Sequence, residues 1–282
     1  MSPTISVVIP TFNRQEATLR AINSALRQFR KPEEIIVVDD ASAPPFSLAH
    51  PSLQDPCIRV INLPSNQGAA AARQAGVDAA AGDLIAFLDS DDQWLPEKLA
   101  HQLPFLSQGH SDLVAVSCGW IEEGERSRTR TPIASADPAD FASGCWFAPG
   151  STIVIPRAAF RIVGPFDTTL RRLEDLDWFL RFALCGGRLE VSPYPGARIS
   201  IGRRGRSSPV REASLQIMRR YGEELEPGLR RRLAAYLDLE RAAAARNDGR
   251  HAAMAALLIR SILNYPRFRL PLREWWQEKP NS

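Results

Sequence analysis

Leu84-Ile85-Ala86-Phe87-Leu88 runs straight into Asp89-Ser90-Asp91-Asp92. Five bulky apolar residues without alternation have the length and composition of a strand buried on both faces of a parallel sheet. In such sheets ligands bind beyond the carboxyl ends of the strands, so this stretch puts an acidic loop where a ligand sits. Two earlier runs read the same way. Ile5-Ser-Val-Val-Ile9 leads into Pro10-Thr11-Phe12-Asn13-Arg14, and Ile35-Ile-Val-Val38 leads into Asp39-Asp40-Ala41-Ser42.

Between these strands the period changes. Residues 14–30 carry Ala17, Ile22, Ala25, Leu26 and Phe29 at helical spacing, and residues 69–81 form an alanine-rich helix that Gly82 is expected to cap. Ile58-Arg-Val-Ile61 reads as a further strand. Strand–helix alternation of this kind implies an α/β sheet with right-handed crossovers. Asp and Ser are favoured helix caps, which accounts for any one of the three polar loops taken alone. It accounts less well for carboxylates packed into two of them, which repel unless a cation lies between.

The middle of the chain is mixed. Asp112-Leu-Val-Ala-Val-Ser117 and Ser151-Thr-Ile-Val-Ile155 read as strands, and residues 122–130 as a polar hairpin or loop. After Gly164-Pro-Phe-Asp167 comes a helix with Glu174-Asp175-Leu176-Asp177 in its first turn, where negative charge suits the helix dipole. From about residue 208 the pattern is helical, with alanine- and leucine-rich stretches at 233–245 and 252–263.

The chain has 282 residues, 44% hydrophobic and 24% charged, the composition of an ordinary globular protein with a sizeable core. Its net charge of +3 hides an asymmetry: residues 201–282 hold 17 Arg/Lys against 9 Asp/Glu, whereas residues 1–200 hold 18 against 23. A basic C-terminal part suits contact with phosphate or anionic lipid. Cys57, Cys118, Cys145 and Cys185 have no zinc or redox spacing and are expected to be small buried hydrophobes. Pro10 interrupts the first apolar run and no charged segment precedes it, so no signal peptide is expected. No window approaches ~18 uninterrupted apolar residues, so no membrane-spanning helix is expected, and a cytoplasmic protein is the expectation.

The ordered set Pro10-Thr11-Phe12-Asn13-Arg14, Val38-Asp39-Asp40-Ala41-Ser42, Asn66 with Gly68 and Arg73, Asp89-Ser90-Asp91-Asp92-Gln-Trp-Leu-Pro96 and Glu174-Asp175 resembles the family 2 glycosyltransferases. Each motif alone is weak; five in order make the resemblance specific. It implies a GT-A fold, with a Rossmann-like nucleotide-binding half over residues 1–100 and a mixed-sheet acceptor half over 101–207. A helical extension would occupy 208–282.

The resemblance also implies an inverting transfer from a nucleotide-diphosphate sugar, with UDP favoured. Asp91 would be the direct ligand of Mg²⁺ or Mn²⁺, with Asp89 holding the metal or the ribose, since hard cations suit carboxylate oxygens. Pro10, Thr11, Asn13, Arg14 and Ser90 would lie along the nucleotide. Asp40, with Asp39, would accept the base imide N–H, and Arg73 would face the nucleotide or the strand-end carboxylates. Asp175 would take the proton of the acceptor hydroxyl, and Asp177 is ranked below it. Trp146 and Gly150-Ser151 fall where relatives shape the acceptor pocket, although Trp146 is equally suited to the core.

Where many relatives carry a histidine near the pyrophosphate, this chain has Arg203-Arg-Gly-Arg206, suited either to diphosphate or to solvent. Arg230-Arg-Arg232, Arg267, Arg269 and Arg273 beside Trp275-Trp276 suit a peripheral contact with an anionic bilayer carrying a glycan or lipid-linked acceptor. A basic helical tail packed on the catalytic part is the competing reading. No nucleic-acid module is present. A non-catalytic nucleotide- or glycan-binding domain of the same fold is the alternative function. A nucleotidyltransferase would want a glycine-rich loop after the first strand, and Pro10–Arg14 contains no glycine.

Overall fold

The structure, a computed structural model, describes residues 2–47, 55–106, 111–124, 127–200 and 207–266. Strand β1 (Ile5–Thr11) is followed by helix α1 (Gln15–Leu26), β2 (Glu34–Asp39), β3 (Ile58–Asn62), α2 (Ala69–Ala79) and β4 (Leu84–Phe87). Ile5, Val7 and Ile9 of β1 share a core with Ala21, Ile22 and Ala25 of α1. Val8, on the opposite face, shares one with Ala72 and Val77 of α2. Both faces are dry, which is why the strands show apolar runs instead of alternation.

The chain continues through β5 (Gln93–Trp94), α3 (Lys98–Gln102), β6 (Val114–Glu123), β7 (Arg128–Arg130), α4 (Pro138–Phe141), α5 (Pro149–Thr152), β8 (Val154–Pro156), α6 (Ala159–Val163), α7 (Glu174–Leu184) and β9 (Arg188–Ser200). One mixed sheet runs in the order β3-β2-β1-β4-β8-β6-β9-β5, with β7 paired to β6. Strands β3, β2, β1 and β4 are mutually parallel. Strand β8 joins β4 antiparallel, and there the parallel half becomes the mixed half.

Three expectations need correction. Helix α2 ends at Ala79, so Gly82 is not its cap; a Cβ at Gly82 would lie 2.6 Å from Ser6 Oγ, so the glycine permits close packing against β1. Ser151 and Thr152 are not in a strand: Pro149 opens the helical turn α5, and only Val154–Pro156 extends. Cys185 is exposed and Cys57 and Cys145 are half-buried, leaving Cys118 as the buried one.

Helices α8 (Ser207–Tyr221), α9 (Pro227–Asn247) and α10 (His251–Asn264) complete the described chain. A third core joins Leu176 and Leu180 of α7 to Ala213, Ile217 and Tyr221 of α8 and to Leu233 and Leu237 of α9. Asp177 anchors this packing. It is fully buried and accepts hydrogen bonds from Arg220 Nη1 at 2.7 Å, Tyr221 Oη at 3.0 Å and Arg181 Nη2 at 3.0 Å. No helix among the described residues is long and apolar enough to cross a membrane.

Candidate active site

The carboxyl ends of β1, β2 and β4 open onto one cavity of about 540 Å³. Pro10, Thr11, Phe12 and Arg14 come from the end of β1, Asp40 from β2, and Asp89, Ser90 and Asp91 from β4. Helix α2 adds Arg73, the first turn of α7 adds Glu174 and Asp175, and α9 adds Tyr236 and Glu240. Six lining carboxylates face three guanidiniums, those of Arg14, Arg73 and Arg172. The wall is therefore acidic.

Arg73 ties the two sides together. Its Nη2 donates to Asp89 Oδ1 at 2.7 Å and its Nη1 to Glu174 Oε1 at 2.8 Å, with Asp175 Oδ1 at 3.4 Å. The guanidinium is buried, and its Nε–H finds no hydrogen-bond partner among the described residues. Burial disfavours its charge, but the surrounding carboxylates overcome this and push its pKa further up. Burial raises Asp175 to about 7; Arg73 opposes the shift, while Glu174 and Asp89 add to it. A carboxylate at that value is suited to taking a proton near neutrality.

The acidic loop is held from behind. Ser151 Oγ accepts from Asp89 N at 3.1 Å and donates to Asp92 Oδ2 at 2.5 Å. Asp92 also accepts from Ser200 N at 2.9 Å. Burial, with Asp89 nearby, raises Asp92 to about 7, so Asp92 is the loop's internal anchor and leaves Asp89 and Asp91 to the cavity. A Cβ at Gly150 would collide with the Asp89 carboxylate, so only glycine lets that side chain turn as it does. Asp91 Oδ2 lies 2.6 Å from Arg14 Nη1. Among the described residues no three acidic, His or Cys side chains converge as a ready-made metal cage.

Asp39 and Asp40 are both buried and already engaged. Asp39 accepts from Ser42 N and Oγ and from Phe46 N; it does not line the cavity. Asp40 accepts from Gln67 N at 2.6 Å and Gly68 N at 2.8 Å. Asn13 also lies outside the cavity lining, and its Oδ1 accepts from Ala43 N at 2.8 Å. Thus this group staples the loops that follow β1, β2 and β3. Asn13, Ala41, Ala148 and Leu173 have left-handed backbones, with φ of 53°, 63°, 48° and 63°. Strained residues of this kind cluster where a site over-determines the backbone.

Trp146 belongs to the core: it is 7% exposed and its Nε1 donates to Ile133 O at 2.8 Å. Asp177 points into the α7–α8 packing, away from the cavity. Arg203–Arg206, Arg267, Arg269, Arg273 and Trp275-Trp276 lie outside the described residues. Phe12, part of the turn expected under the nucleotide, lines the cavity, and so do Cys145, Arg172, Tyr236 and Glu240, to which sequence reasoning assigned no role in the site. For Arg172 a signal existed, since it lies within three residues of Asp175; for the α9 pair nothing local marked them.

The sequence pattern described as Glycosyl transferase family 2 matches residues 6–169, more than half of the chain. The chain belongs to glycosyl transferase family 2. This glycosyltransferase is 36% identical over 190 residues to the uncharacterized glycosyltransferase YwdF of Bacillus subtilis, covering 64% of this chain and 68% of that one. It is 31% identical over 207 residues to the succinoglycan biosynthesis protein ExoO of Rhizobium meliloti, covering 69% and 60%. The match thus spans less than two thirds of the Rhizobium relative.

Among solved structures it resembles S. aureus TarS 1-349 in complex with UDP, with a TM-score of 0.60, 18% identity and coverage of 96% and 91%. The TarS 1-349 complex with UDP-GlcNAc gives 0.61 at the same identity, covering 96% and 92%. The shared architecture is the GT-A fold, a mixed sheet followed by C-terminal helices.

Proposed function

We propose that this glycosyltransferase is an inverting, metal-dependent hexosyltransferase that uses a UDP-sugar. Its acceptor is a hydroxyl of a glycan or lipid-linked oligosaccharide in surface-polysaccharide synthesis. The observation that carries the reading is the Arg73 clamp, which gathers Asp89 of the loop after β4 and Glu174 and Asp175 of α7 around one guanidinium in the cavity. Two relatives support the donor and the pathway class: TarS was crystallised with UDP and UDP-GlcNAc, and ExoO is a succinoglycan biosynthesis protein.

Asp175, 30% exposed in its side chain and lining the cavity, takes the proton of the acceptor hydroxyl. The hydroxyl oxygen then forms a bond to the anomeric carbon from the face opposite the diphosphate. The bond to the diphosphate oxygen breaks, and the nucleoside diphosphate leaves with the electron pair. Pro10, Thr11 and Ser90 shape the nucleotide side, and Asn13 acts behind them by fixing the loop after β2. Asp40 keeps lone pairs beyond those its two N–H donors use, so it still suits a base imide, a feature of uracil that cytosine lacks. Asp39 acts behind it by fixing the loop.

Asp89 and Asp91, with 34% and 35% exposed side chains, fit a divalent cation such as Mg²⁺ or Mn²⁺. Two hard carboxylates are what such ions take from protein when phosphate oxygens and water complete the shell. The ion would neutralise charge on the leaving diphosphate. Arg14 would then be free to turn to phosphate.

For the domain plan we retain residues 1–100 as the donor half, 101–207 as the acceptor half and 208–282 as the helical extension, whose α9 reaches the cavity. A peripheral contact with an anionic bilayer at its cytoplasmic face is also proposed. Its support is α10, in which only Ser261 is buried while Ile259, Ile262 and Leu263 are 59%, 57% and 75% exposed. An apolar face of this kind on a basic region suits an interfacial helix.

The test of the proposal is thermal unfolding with a nucleotide panel and Mn²⁺. UDP should raise the melting temperature only with the ion, and CDP should not. No stabilisation by any nucleoside diphosphate would sink the reading.

A further inference from the structure

The strand ends account for part of the cavity lining, but part of it comes from a helix well outside the family's sequence pattern. Tyr236 and Glu240 lie one turn apart on α9, and both line the cavity that holds Asp175. Tyr236 Oη donates to Glu240 Oε1 at 2.9 Å, so the two side chains form one unit. The ring is seated on Gly144, which has a φ of +116°; a Cβ there would collide with Cε2 of the ring. This glycine therefore does two things that no other residue does: it takes the left-handed turn and leaves room for the tyrosine ring. Cys145, next in the chain, lines the same cavity, and its thiol is pushed well up by burial and by the charges of Asp175, Glu174 and Glu240. Glu240 and Asp175 thus face one neighbourhood.

Resting on the glycosyltransferase reading, we propose that Tyr236 and Glu240 form the acceptor subsite and hold a neutral sugar whose free hydroxyl points at Asp175. The aromatic ring offers an apolar surface to the C–H face of a pyranose. The Glu240 carboxylate accepts from sugar hydroxyls, a charge-assisted pairing that a neutral acceptor would not match. The same carboxylates repel an anionic sugar at this position. Arg73 and the exposed Arg172 are outnumbered by Asp89, Glu174, Asp175 and Glu240. The specificity for a neutral acceptor therefore resides in a helix outside residues 6–169.

The experiment titrates wild type, Glu240→Gln and Tyr236→Phe with methyl glucoside, methyl galactoside, methyl N-acetylglucosaminide and methyl glucuronide, with and without UDP and Mn²⁺. Binding is read by ligand-observed NMR, and circular dichroism checks the fold of each variant. At least one neutral glycoside should bind wild type, with the glucuronide at least about tenfold weaker from carboxylate repulsion. Glu240→Gln should weaken neutral binding about tenfold and shrink the discrimination against glucuronide. Tyr236→Phe should weaken it less, and UDP affinity should stay unchanged in both.

Unaltered glycoside binding in the two variants overturns the inference, as does a protein that binds UDP but no neutral glycoside. If wild type binds a glycoside through Glu240 yet never binds UDP, the subsite stands and the transfer reading falls.

Discussion

Arg14 Nη1 lies 2.6 Å from Asp91 Oδ2, so the carboxylate proposed as metal ligand is held by a side-chain cation. The pair is open to solvent, with Arg14 52% exposed, and such pairs contribute at most about 1 kcal/mol. A divalent ion with diphosphate should displace the guanidinium. Arg14→Ala is therefore expected to keep or tighten Mn²⁺ binding in the absence of nucleotide. Asp91→Asn should weaken Mn²⁺ binding with UDP at least about tenfold, the least that loss of a direct ligand costs. Calorimetric titration separates the two; equal binding in Asp91→Asn would remove Asp91 from the metal site.

Asp175→Asn should lower transfer by about 10² to 10⁴, the usual contribution of a positioned base. UDP affinity should be retained, because the carboxamide keeps the shape beside Arg73. Loss of UDP binding would instead assign Asp175 a structural part.

Asp175 titrates near pH 7 because burial raises it from 3.8. Only its ionised form takes a proton, so kcat/KM should rise with pH through about 7 and then level off. The sign for stability is opposite. The folded state holds this proton more tightly than the unfolded chain, so its stabilising contribution is complete below about pH 4 and is lost as pH rises through about 7. Thermal melting from pH 4 to 8 should show a shallower decline in Asp175→Asn; parallel curves would count against the shift.

Asp177→Ala should destabilise the fold by roughly 1.5–3 kcal/mol, because Arg220, Arg181 and Tyr221 lose the buried carboxylate that accepts their hydrogen bonds. Tyr221→Phe removes one hydrogen bond to the same carboxylate and should cost about 1 kcal/mol. Urea denaturation reads both, and near-equal values would mean that the charges are not what holds α8.

The combined substitution Ile259→Ser, Ile262→Ser and Leu263→Ser should reduce sedimentation with phosphatidylglycerol vesicles at least about tenfold, given about 1.5–3 kcal/mol per buried aliphatic side chain. Retention on the vesicles would place the contact elsewhere. A change in oligomeric state on gel filtration, with vesicle binding intact, would assign the face to a second copy.

The parallel half of the fold was legible because its strands are buried on both faces and therefore spell out uninterrupted apolar runs. Their polar ends located the cavity for the same reason. The partners inside it were not legible. Asp39 and Asp40 look alike in sequence, yet Asp39 is engaged by Ser42 and Phe46 of the loop after β2 and faces away from the cavity, whereas Asp40 lines the cavity while accepting from Gln67 and Gly68 after β3. Arg73 could be linked to carboxylates in general, but its clamp on Glu174 arises from α2 packing against the first turn of α7. Tyr236 and Glu240 had no local signature, since an amphipathic helix looks the same whether its polar face meets water or a cavity. Ser151 read as strand because β-branched residues follow it, and Pro149 overrode them.

The core shared by α7, α8 and α9 has a consequence for recombination among relatives. Leu176 and Leu180 sit two helical turns or less beyond Asp175 and are covered by Ile217, Leu233 and Leu237. A graft that ends at residue 169, where the family pattern stops, would import the donor side without Asp175, the proposed base, or the core beneath it. Exchange of acceptor preference between relatives should therefore succeed only when α7 through α9 travel as one cassette, so that the base, its greasy underside and the wall facing it are inherited together.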